Sequence, residues 1–483
     1  MTTAPLTDRR FLRRSAPPAP ERVASGQFRP SASHPIPPLR SVADFVALPS
    51  TRRYVTVKGK FLIALGGAAL WLLLAVIVSL AFLGSLAEVV SWPAAVLMAI
   101  FVVYVPAYLT AFSCIGIVLD DPPALEIVHP TTPVTVVVRS DRQPKDVVVC
   151  LAYLAAQDYD GPLSVLLVDH ASTDDTVAEA CRAARQLELD LKVVVERRDG
   201  RAHAYNTGLA CVDTPVFVTL DAGTFLHPSA VRLLVARLMS SPSDTAAVAG
   251  HAFVRNARQG TFAEYEATDY ALAVNAAQRL HGLFQGALVA EGACGVFRTD
   301  AVRAVNGWPP VVGEDVVLTW RFLERGWRVF HEPLAVAFST EPISTRSLGR
   351  RRARAAVGLV DAIREAGVRS LRFPFSRFLT VVDVAAPLLD LCFAVCWLPA
   401  VVLAALGHAG LVGWYLLFVL PLSLATSAIV RRNHNEVMDE IGLKPHRSPA
   451  ALLASLLTFH AVQAPLSIWS YALELADASN STR

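Results

Sequence analysis

The stretch VLLVDHASTDDT at residues 165–176 has the pattern of a buried strand that ends in a polar turn and leads into a helix. Its four apolar residues in a row are typical of a strand covered on both faces of a parallel sheet. The pattern predicts a β–turn–α unit with Asp169 at the carboxyl end of the strand. Ligands of parallel α/β sheets bind at such ends, so we interpret Asp169 as a ligand-binding residue. Asp174 or Thr173 is interpreted only as a helix cap.

The same pattern recurs between about residues 120 and 343. Short β-branched runs alternate there with helical stretches, of which 176–187 is the clearest, and the runs lie at 134–138, 193–195 and 216–220. Strands that alternate with helices predict a mostly parallel sheet with helices on both faces. We therefore expect a Rossmann-like α/β domain over residues 120–343.

The composition predicts that this domain is attached to a membrane. Of the 483 residues, 53% are hydrophobic and 18% are charged, which is too apolar for an ordinary soluble protein. The chain has apolar runs long enough to cross a bilayer at 61–83, 92–119, 378–406, 411–430 and 450–473. We expect about five transmembrane helices, two before the α/β domain and three after it.

Basic residues predict the orientation of these helices. Arg and Lys residues precede the first run and recur at 431–447, and cytoplasmic loops carry such an excess. The N-terminus and the α/β domain are therefore expected in the cytoplasm. The expected units are a disordered basic arm at 1–59, a two-helix hairpin at 60–119, the α/β domain at 120–343, an amphipathic interface helix region at 344–377, three helices at 378–475 and a tail at 476–483.

Charge and cysteine content argue against two other classes of protein. The net charge of +3 is small for this length, so we expect no binding of nucleic acid. The seven cysteines show no CxxC spacing, so neither a disulfide framework nor a zinc site is expected.

The stretch VFVTLDAGT at residues 216–224 repeats the design of a strand followed by an aspartate, here Asp221. A carboxylate at a strand tip can bind a Mg²⁺ or Mn²⁺ ion that carries a nucleotide diphosphate. Such hard ions prefer oxygen and often take only one or two ligands from the protein. The alternative is an aspartate that only forms a turn before a glycine.

Charged residues cluster at two further places. The stretch VVGED at residues 311–315 precedes a helical stretch, so Asp315 can act as a general base with Glu314 as its electrostatic companion. Acidic residues at a helix start are also favoured simply by the helix dipole. The arginine-rich stretch RRRAR at 350–354 can bind phosphates, or it can anchor the chain at the membrane surface.

Two smaller features complete the set of candidates. The stretch EGACG at residues 291–295 would let a flat acceptor approach the backbone, or it simply packs tightly. Asp383 and Asp390 lie seven residues apart on one helical face, where they line a polar path or pair with His460 or Gln463, unless they are only structural.

Taken in order, these stretches resemble the membrane-embedded processive family 2 glycosyltransferases: poly-N-acetylglucosamine, hyaluronan, chitin and cellulose synthases. The similarity runs from about residue 133 to residue 358, and the layout is most like the bacterial poly-N-acetylglucosamine synthases. The resemblance implies a GT-A fold at the inner membrane, a nucleotide-sugar donor such as a UDP-sugar, and an assisting Mg²⁺ or Mn²⁺ ion. It also implies sugar transfer with inversion to a polysaccharide or lipid-linked acceptor, contact with membrane lipid, and synthase partner subunits.

The resemblance assigns roles to individual residues of this sequence. Asp169, in VDHASTD, is similar to the first nucleotide-binding aspartate, and Arg201 stands where the family has a lysine that contacts the diphosphate. Asp221 falls on the first position of the DxD motif, as donor and metal residue, and Asp315 falls on the base of the TED motif. The other assigned residues are Glu314 beside the base, Arg352 and Arg354 on the phosphates, and Glu291, Gly292 and Cys294 in the acceptor segment that ends at Phe297-Arg298.

The sequence departs from the family pattern in three binding elements. Residues 138–143 are VRSDRQ where the family has PxYNE, and Gly223 replaces the second aspartate of DxD. Arg351 and Ala355 replace the Gln and Trp of QxxRW. Three hypotheses follow: an active transferase, a catalytically degraded GT-A scaffold or partner subunit of a synthase, and a non-processive transferase that acts on a lipid-linked acceptor.

Overall fold

The computed structural model describes residues 55–120, 123–254, 275–285, 294–339, 358, 361–365 and 370–440. A helical hairpin, an α/β domain and a second helical segment follow one another along the chain. The predicted span at 450–473, the tail, nearly all of the basic arm and most of the region 344–377 lie outside the described residues.

The hairpin consists of α1 (Val57–Val90), α2 (Trp92–Ala99) and α3 (Val105–Val118). A π-helical turn at Ile100–Tyr104 joins α2 to α3 just before Pro106. Proline has no backbone N–H to donate, and such turns accommodate the missing hydrogen bond. Both α1 and the α2–α3 pair are long and apolar enough to cross a membrane.

The α/β domain alternates strands with helices, as the sequence predicts. Its described elements are β1 (Val134–Ser140), α4 (Pro144–Ala155), β2 (Leu163–Asp169), α5 (Thr176–Gln186), β3 (Leu191–Val195), α6 (Arg201–Ala210), β4 (Val216–Asp221), β5 (Phe225–Leu226), α7 (Ala230–Met239), β6 (Thr245–Val254), α8 (Asn275–Phe284), β7 (Gly295–Arg298), α9 (Thr299–Ala304), α10 (Glu314–Glu324) and β8 (Arg328–Ser339).

The eight strands form one sheet in the order β3-β2-β1-β4-β7-β6-β8-β5. The half made of β3, β2, β1 and β4 is parallel throughout. The other half is mixed, because β7 runs antiparallel to both β4 and β6 while β8 runs parallel to β6. The prediction of a parallel sheet is therefore confirmed for the first half, and the second half differs from it.

Helices cover both faces of the sheet, which explains why its strands are almost wholly apolar. Val136 and Val138 of β1 belong to the buried cluster that includes side chains of α4, α5 and α7. Val137 points to the opposite face and packs with α6 and α9. Side chains alternate along a strand, so one run of valines supplies two cores. Of the four sequence-predicted strands, β1, β2 and β4 are largely buried, whereas β3 lies at the sheet edge and is partly exposed.

The second helical segment consists of α11 (Pro374–Ala405), α12 (Gly410–Phe418) and α13 (Leu420–Glu440). Two of its stretches, Leu388–Ala405 and Gly410–Asp439, are long and apolar enough to cross a membrane. Together with the hairpin this gives four candidate spans among the described residues.

The helices of the two segments pack through small residues and expose large ones. Ala75 of α1, Ala107 of α3 and Ala400 of α11 are fully buried in one shared cluster. Leu70 and Leu398, by contrast, are each 69% exposed. Small residues let helices approach closely in a bilayer, and exposed leucines suit lipid. The packing therefore agrees with association of these helices with a membrane.

Helix α8 joins the α/β domain to the membrane helices, a contact that the sequence did not indicate. Phe284 of α8 is fully buried and stacks edge-on against Phe61 of α1, with Phe112 of α3 next to it. His281 of α8 lies 3.5 Å from Asp383 of α11. Asp383 is thus paired with the α/β domain, whereas the partners suggested from sequence, His460 and Gln463, lie outside the described residues.

Candidate active site

Asp221 at the end of β4 lies beside Arg139 near the end of β1. The parallel register of the two strands pairs these residues directly, so their side chains leave the same face of the sheet. Arg139 donates a hydrogen bond from Nε to Oδ1 of Asp221 at 2.8 Å. The strand pairing itself therefore supplies Asp221 with a cationic partner.

Arg201 lies between three carboxylates that come from different elements. It is the first residue of α6 and follows Gly200, whose φ of 111° is in the left-handed region that glycine permits. Nη2 of Arg201 lies 3.4 Å from Oδ2 of Asp221 and 3.7 Å from Oδ2 of Asp315. Its Nε lies 3.3 Å from Oε1 of Glu314. We call these residues the carboxylate–arginine cluster: Arg139, Arg201, Asp221, Glu314 and Asp315.

Attraction between the arginines and Asp221 stabilises the ionised forms of these side chains. Burial alone would raise the pKa of Asp221, but Arg201 and Arg139 hold that pKa below its ordinary value. Burial would likewise lower the pKa of Arg201, but Asp221 and the other carboxylates hold it well above its ordinary value. Tyr205, one helical turn after Arg201, donates its hydroxyl hydrogen to Oδ1 of Asp221 at 3.1 Å. Asp221 is therefore an ionised carboxylate with three donors around it.

Glu314 and Asp315 are both buried in the first turn of α10. The indole nitrogen Nε1 of Trp308 donates a hydrogen bond to Oδ1 of Asp315 at 3.2 Å. Burial, together with the negative charge of Asp315, raises the pKa of Glu314 to about 7. Glu314 therefore keeps its proton to a higher pH than a free glutamate does, while Asp315 is held in place by an N–H donor.

Two buried polar atoms of the cluster make no hydrogen bond to any described residue. They are Nε of Arg201 and Oε1 of Glu314, which lie 3.3 Å apart but are not aligned for a hydrogen bond. A buried polar atom left unpaired costs about 1–3 kcal/mol. A ligand that offers an acceptor to Arg201 and a polar group to Glu314 would satisfy both atoms.

Asp169 lies at the carboxyl end of β2, as predicted, but its carboxylate faces its own turn. Its Oδ2 accepts the backbone N–H of Ser172 at 2.8 Å, and its Oδ1 accepts the hydroxyl of Ser172 at 2.6 Å. The residue is only 1% exposed. Ala171 within this turn has a φ of 43°, in the left-handed region that glycine favours. The structure thus shows a turn-forming contact at Asp169, and its role toward a donor stays a prediction.

A buried glutamate that the sequence did not single out shapes the loop before α6. Glu196 accepts two hydrogen bonds from the guanidinium of Arg198, at 3.0 Å on Oε1 and 2.7 Å on Oε2. It also accepts the hydroxyl of Thr207 on α6. Hydrogen bonding to Arg198 and Thr207 holds the pKa of Glu196 well below its ordinary value. These contacts fix the loop that delivers Arg201 to the cluster.

The predicted acceptor segment is described only at its end. Cys294 is 4% exposed and packs against the sheet, with Sγ 4.0 Å from the backbone oxygen of Ala335. A Cβ on Gly250 would lie 2.4 Å from the same sulfur, so the packing is tight. This burial favours the packing alternative for Cys294. Glu291 and Gly292 lie outside the described residues.

The predicted phosphate-binding residues Arg352 and Arg354 also lie outside the described residues. The chain just after them is described at Gly358, which contacts Gly313 at the start of α10. A Cβ on Gly313 would lie 2.2 Å from Cα of Gly358. Two glycines are therefore required where these backbones meet, directly before Glu314.

The residues around Asp221 do not fit the expected Mg²⁺ or Mn²⁺ ion. Such ions need several oxygen ligands. Gly223 supplies none, and both oxygens of Asp221 face guanidinium groups, of Arg139 and Arg201. In the part of the chain that the structure describes, no group of three or more His, Cys, Asp or Glu side chains could hold a metal ion. The local charge at Asp221 is already balanced by cations of the protein.

Besides Glu196, sequence reasoning missed Arg139 within the cluster and Tyr205 and Trp308 beside it. Arg139 lies in the stretch that departs from the family, so motif comparison gave it no role. The signal that could have found it is register, because equal positions at the ends of adjacent parallel strands face each other. Tyr205 could have been found as the residue four positions after Arg201 on the same helix face. For Trp308 the sequence offered no comparable signal.

The fold and the site together define an α/β domain with a charged cluster at the carboxyl ends of its parallel strands. The sequence model of the family described as "Glycosyl transferase family group 2" matches residues 216–430. This match includes Asp221, Glu314 and Asp315. Over these residues the chain is similar to the family 2 glycosyltransferases, and an α/β domain with this mixed sheet fits the GT-A fold that the sequence resemblance implies.

Two relatives illustrate the extent of the similarity. A poly-beta-1,6-N-acetyl-D-glucosamine synthase of Staphylococcus aureus (strain COL) is 25% identical over 195 residues, which cover 40% of this chain and 47% of the relative. An N-acetylglucosaminyltransferase of Azorhizobium caulinodans is 27% identical over 203 residues, covering 40% of this chain and 51% of the relative. The chain thus spans about half the length of these relatives.

Among solved structures, the chain is similar to a mannosyltransferase of Pyrobaculum calidifontis in complex with GDP-Man and Mn²⁺. The two are 21% identical, and the alignment covers 72% of this chain and 96% of the mannosyltransferase with a TM-score of 0.49.

Proposed function

We propose that the protein transfers a sugar with inversion from a nucleotide-sugar donor, a UDP-sugar, to a polysaccharide or lipid-linked acceptor. The α/β domain faces the cytoplasm and the helices lie in the inner membrane. Membrane lipid and synthase subunits are its further partners. In this proposal Asp315 is the general base, Arg201 and Asp221 lie at the donor diphosphate, and Asp169 shapes the donor side of the site.

The observation that carries this proposal is the position of Arg201. Its guanidinium lies within 3.7 Å of both Asp221 and Asp315, so the proposed donor residue and the proposed base share one cation. A sugar bound with its diphosphate near Arg201 would place its anomeric carbon close to Asp315. General-base catalysis requires such proximity, within hydrogen-bond reach of the attacking hydroxyl.

The chemical step follows from these positions. The acceptor hydroxyl gives its proton to the carboxylate of Asp315, and its oxygen attacks the anomeric carbon on the face opposite the diphosphate. The bond from that carbon to the diphosphate oxygen breaks, and the nucleoside diphosphate leaves with the electron pair. Arg139 and Arg201 stabilise the negative charge that grows on the leaving group. Trp308 keeps the carboxylate of Asp315 oriented toward the hydroxyl.

The cluster also supports an active transferase over a degraded scaffold. Nε of Arg201 and Oε1 of Glu314 are buried and oppositely charged, 3.3 Å apart, yet neither makes a hydrogen bond to a described residue, and a protein with only a structural role gains little from this arrangement. The raised pKa of Glu314 shows a further unfavourable contribution, because burial and the charge of Asp315 disfavour its ionised form. Such perturbed groups are typical of functional sites.

Release of UDP from a panel of nucleotide sugars by the purified protein in detergent tests the proposal. We expect at least one donor to be turned over, and Asp315→Asn to reduce turnover by about 10²–10⁴-fold, the usual contribution of a general base. Binding of UDP to this variant should stay nearly unchanged, because the base is not a nucleotide contact.

Glu324→Gln is the matched control, because Glu324 is exposed at the other end of the same helix. It removes one carboxylate from α10 without touching the cluster, and its turnover should equal that of the wild type. Unchanged turnover in Asp315→Asn would refute the assignment of the base. A wild type that releases UDP from no donor would refute the proposed activity.

A further inference from the structure

We propose that the carboxylate–arginine cluster binds the donor diphosphate through the guanidinium groups of Arg139 and Arg201, without a divalent cation. This inference rests on the proposed function and specifies which groups of the donor site neutralise the diphosphate. It departs from the metal-assisted chemistry that the sequence resemblance implies.

Arg201 occupies the space in which a cation would find oxygen ligands. The three carboxylates nearest to that space are Asp221, Glu314 and Asp315, and all three lie 3.3–3.7 Å from nitrogens of Arg201. The opposite oxygen of Asp221 is bound by Arg139 at 2.8 Å. A divalent cation on Asp221 would therefore be repelled by two adjacent guanidinium groups.

The two guanidinium groups carry the same formal charge as one divalent cation, part of which the three carboxylates offset. Each also carries five N–H donors in a planar fork that suits phosphate oxygens. A guanidinium keeps its charge at all physiological pH values, so this site needs no metal to neutralise a leaving diphosphate. A second aspartate at position 223 would bind a metal ion, and that ion would contact the diphosphate. Here Gly223 cannot do so, and Arg139 and Arg201 provide positive charge and hydrogen bonds instead.

Both guanidinium groups are held by carboxylates and remain open to a ligand. The side chain of Arg139 is 23% exposed and that of Arg201 is 35% exposed. Arginines held in this way are oriented in advance, which strengthens the binding of a phosphate. Asp221, which contacts both arginines, then acts as their positioning residue.

Binding of UDP to the full-length wild-type protein tests the inference, by titration calorimetry in EDTA and in excess Mn²⁺. We expect the two dissociation constants to agree within about threefold, a negligible free-energy difference. Electron paramagnetic resonance of Mn²⁺ supplies a second readout. The signal of free Mn²⁺ should be the same for UDP with protein as for UDP alone at equal concentrations.

Each result decides a different claim. Binding that requires Mn²⁺, with loss of the free Mn²⁺ signal on the protein–UDP complex, would overturn the inference and leave the proposed function standing. Binding of neither UDP nor GDP under either condition would overturn the proposed function, and the inference with it.

Variants of Arg139 and Arg201 test whether these two side chains bind the diphosphate of UDP. In EDTA, Arg139→Met and Arg201→Met should each weaken UDP binding by about tenfold or more, as expected for loss of a charge-assisted contact. Arg182→Met removes an exposed arginine on α5 and should leave binding unchanged. UDP binding that is indifferent to both cluster variants would overturn the inference. The wild-type comparison decides the question even if a variant fails to fold.

Discussion

Asp169 ends β2 in the stretch VLLVD, and Asp221 ends β4 in the similar stretch VFVTLD. The two strands flank β1 in the same parallel half of the sheet. Asp169 is bound by Ser172, three residues further along its own turn. Asp221 is bound by Arg139 of β1, 82 positions away in sequence, and by Tyr205 of α6, 16 positions away.

The difference shows what a strand-then-aspartate pattern can and cannot predict. The pattern places a carboxylate at a strand tip, and both residues are there. Which groups surround the carboxylate depends on register and on the next element in space. Asp169 stabilises local backbone, whereas Asp221 joins three elements and carries the charge balance of the site.

The comparison predicts its largest effect for Asp221→Asn. Removal of this charge leaves Arg139 and the half-buried Arg201 without their main counter-ion. The free energy of unfolding should fall by about 3–5 kcal/mol at pH 7, as for other broken buried pairs. Unfolding in detergent with tryptophan fluorescence as the signal would measure this.

The control and the pH dependence separate the two aspartates. Asp169→Asn keeps a side-chain acceptor for Ser172, so this variant should lose only about 1–2 kcal/mol in its free energy of unfolding. The pKa of Asp221 is lowered in the folded state, so its contribution is present above the unfolded pKa and is lost as the pH falls through the folded pKa. An Asp221→Asn loss that is no larger than that of Asp169→Asn would show that the two strand tips are equivalent.

Sequence reasoning predicted strands β1 to β4, which form the parallel half of the sheet, and four residues that meet in the cluster, Arg201, Asp221, Glu314 and Asp315. The strands and Asp221 follow from local patterns, namely apolar runs and a strand-end carboxylate, whereas Arg201 was assigned by the family resemblance. It failed for the mixed half of the sheet, because strand direction after β4 is not encoded in any local run. It also missed Arg139, whose role depends on the β1–β4 register, and the contact of α8 with the membrane helices.

Glu314 should respond to pH in the opposite direction from Asp221. Its folded pKa of about 7 is above its ordinary value, so the folded state binds a proton that the unfolded state has lost. This lowers stability progressively as the pH rises from about 4.5 to about 7, by up to about 3 kcal/mol from the size of the shift.

Glu314→Gln removes that penalty while keeping a similar shape. The variant should match the wild type near pH 4.5 and become more stable than it by up to about 3 kcal/mol at pH 8. Thermal unfolding in detergent at the two pH values measures the difference. A stability gain that is the same at both pH values would show that ionisation of Glu314 is not its cause.

The smallest expected effect lies in the turn that Asp169 holds. Ala171 has a φ of 43°, a conformation that is strained for residues with a Cβ and ordinary for glycine. Ala171→Gly should relieve that strain, although glycine also gives the unfolded chain more freedom, so the net gain should be at most about 1 kcal/mol. Ala180→Gly is the matched control, because Ala180 is buried in the helical α5 and the same change there should destabilise the protein. Chemical unfolding of the two variants compares them directly. A loss of stability in both would mean that the turn at Asp169 carries no strain at Ala171, and that Ser172 alone sets its geometry.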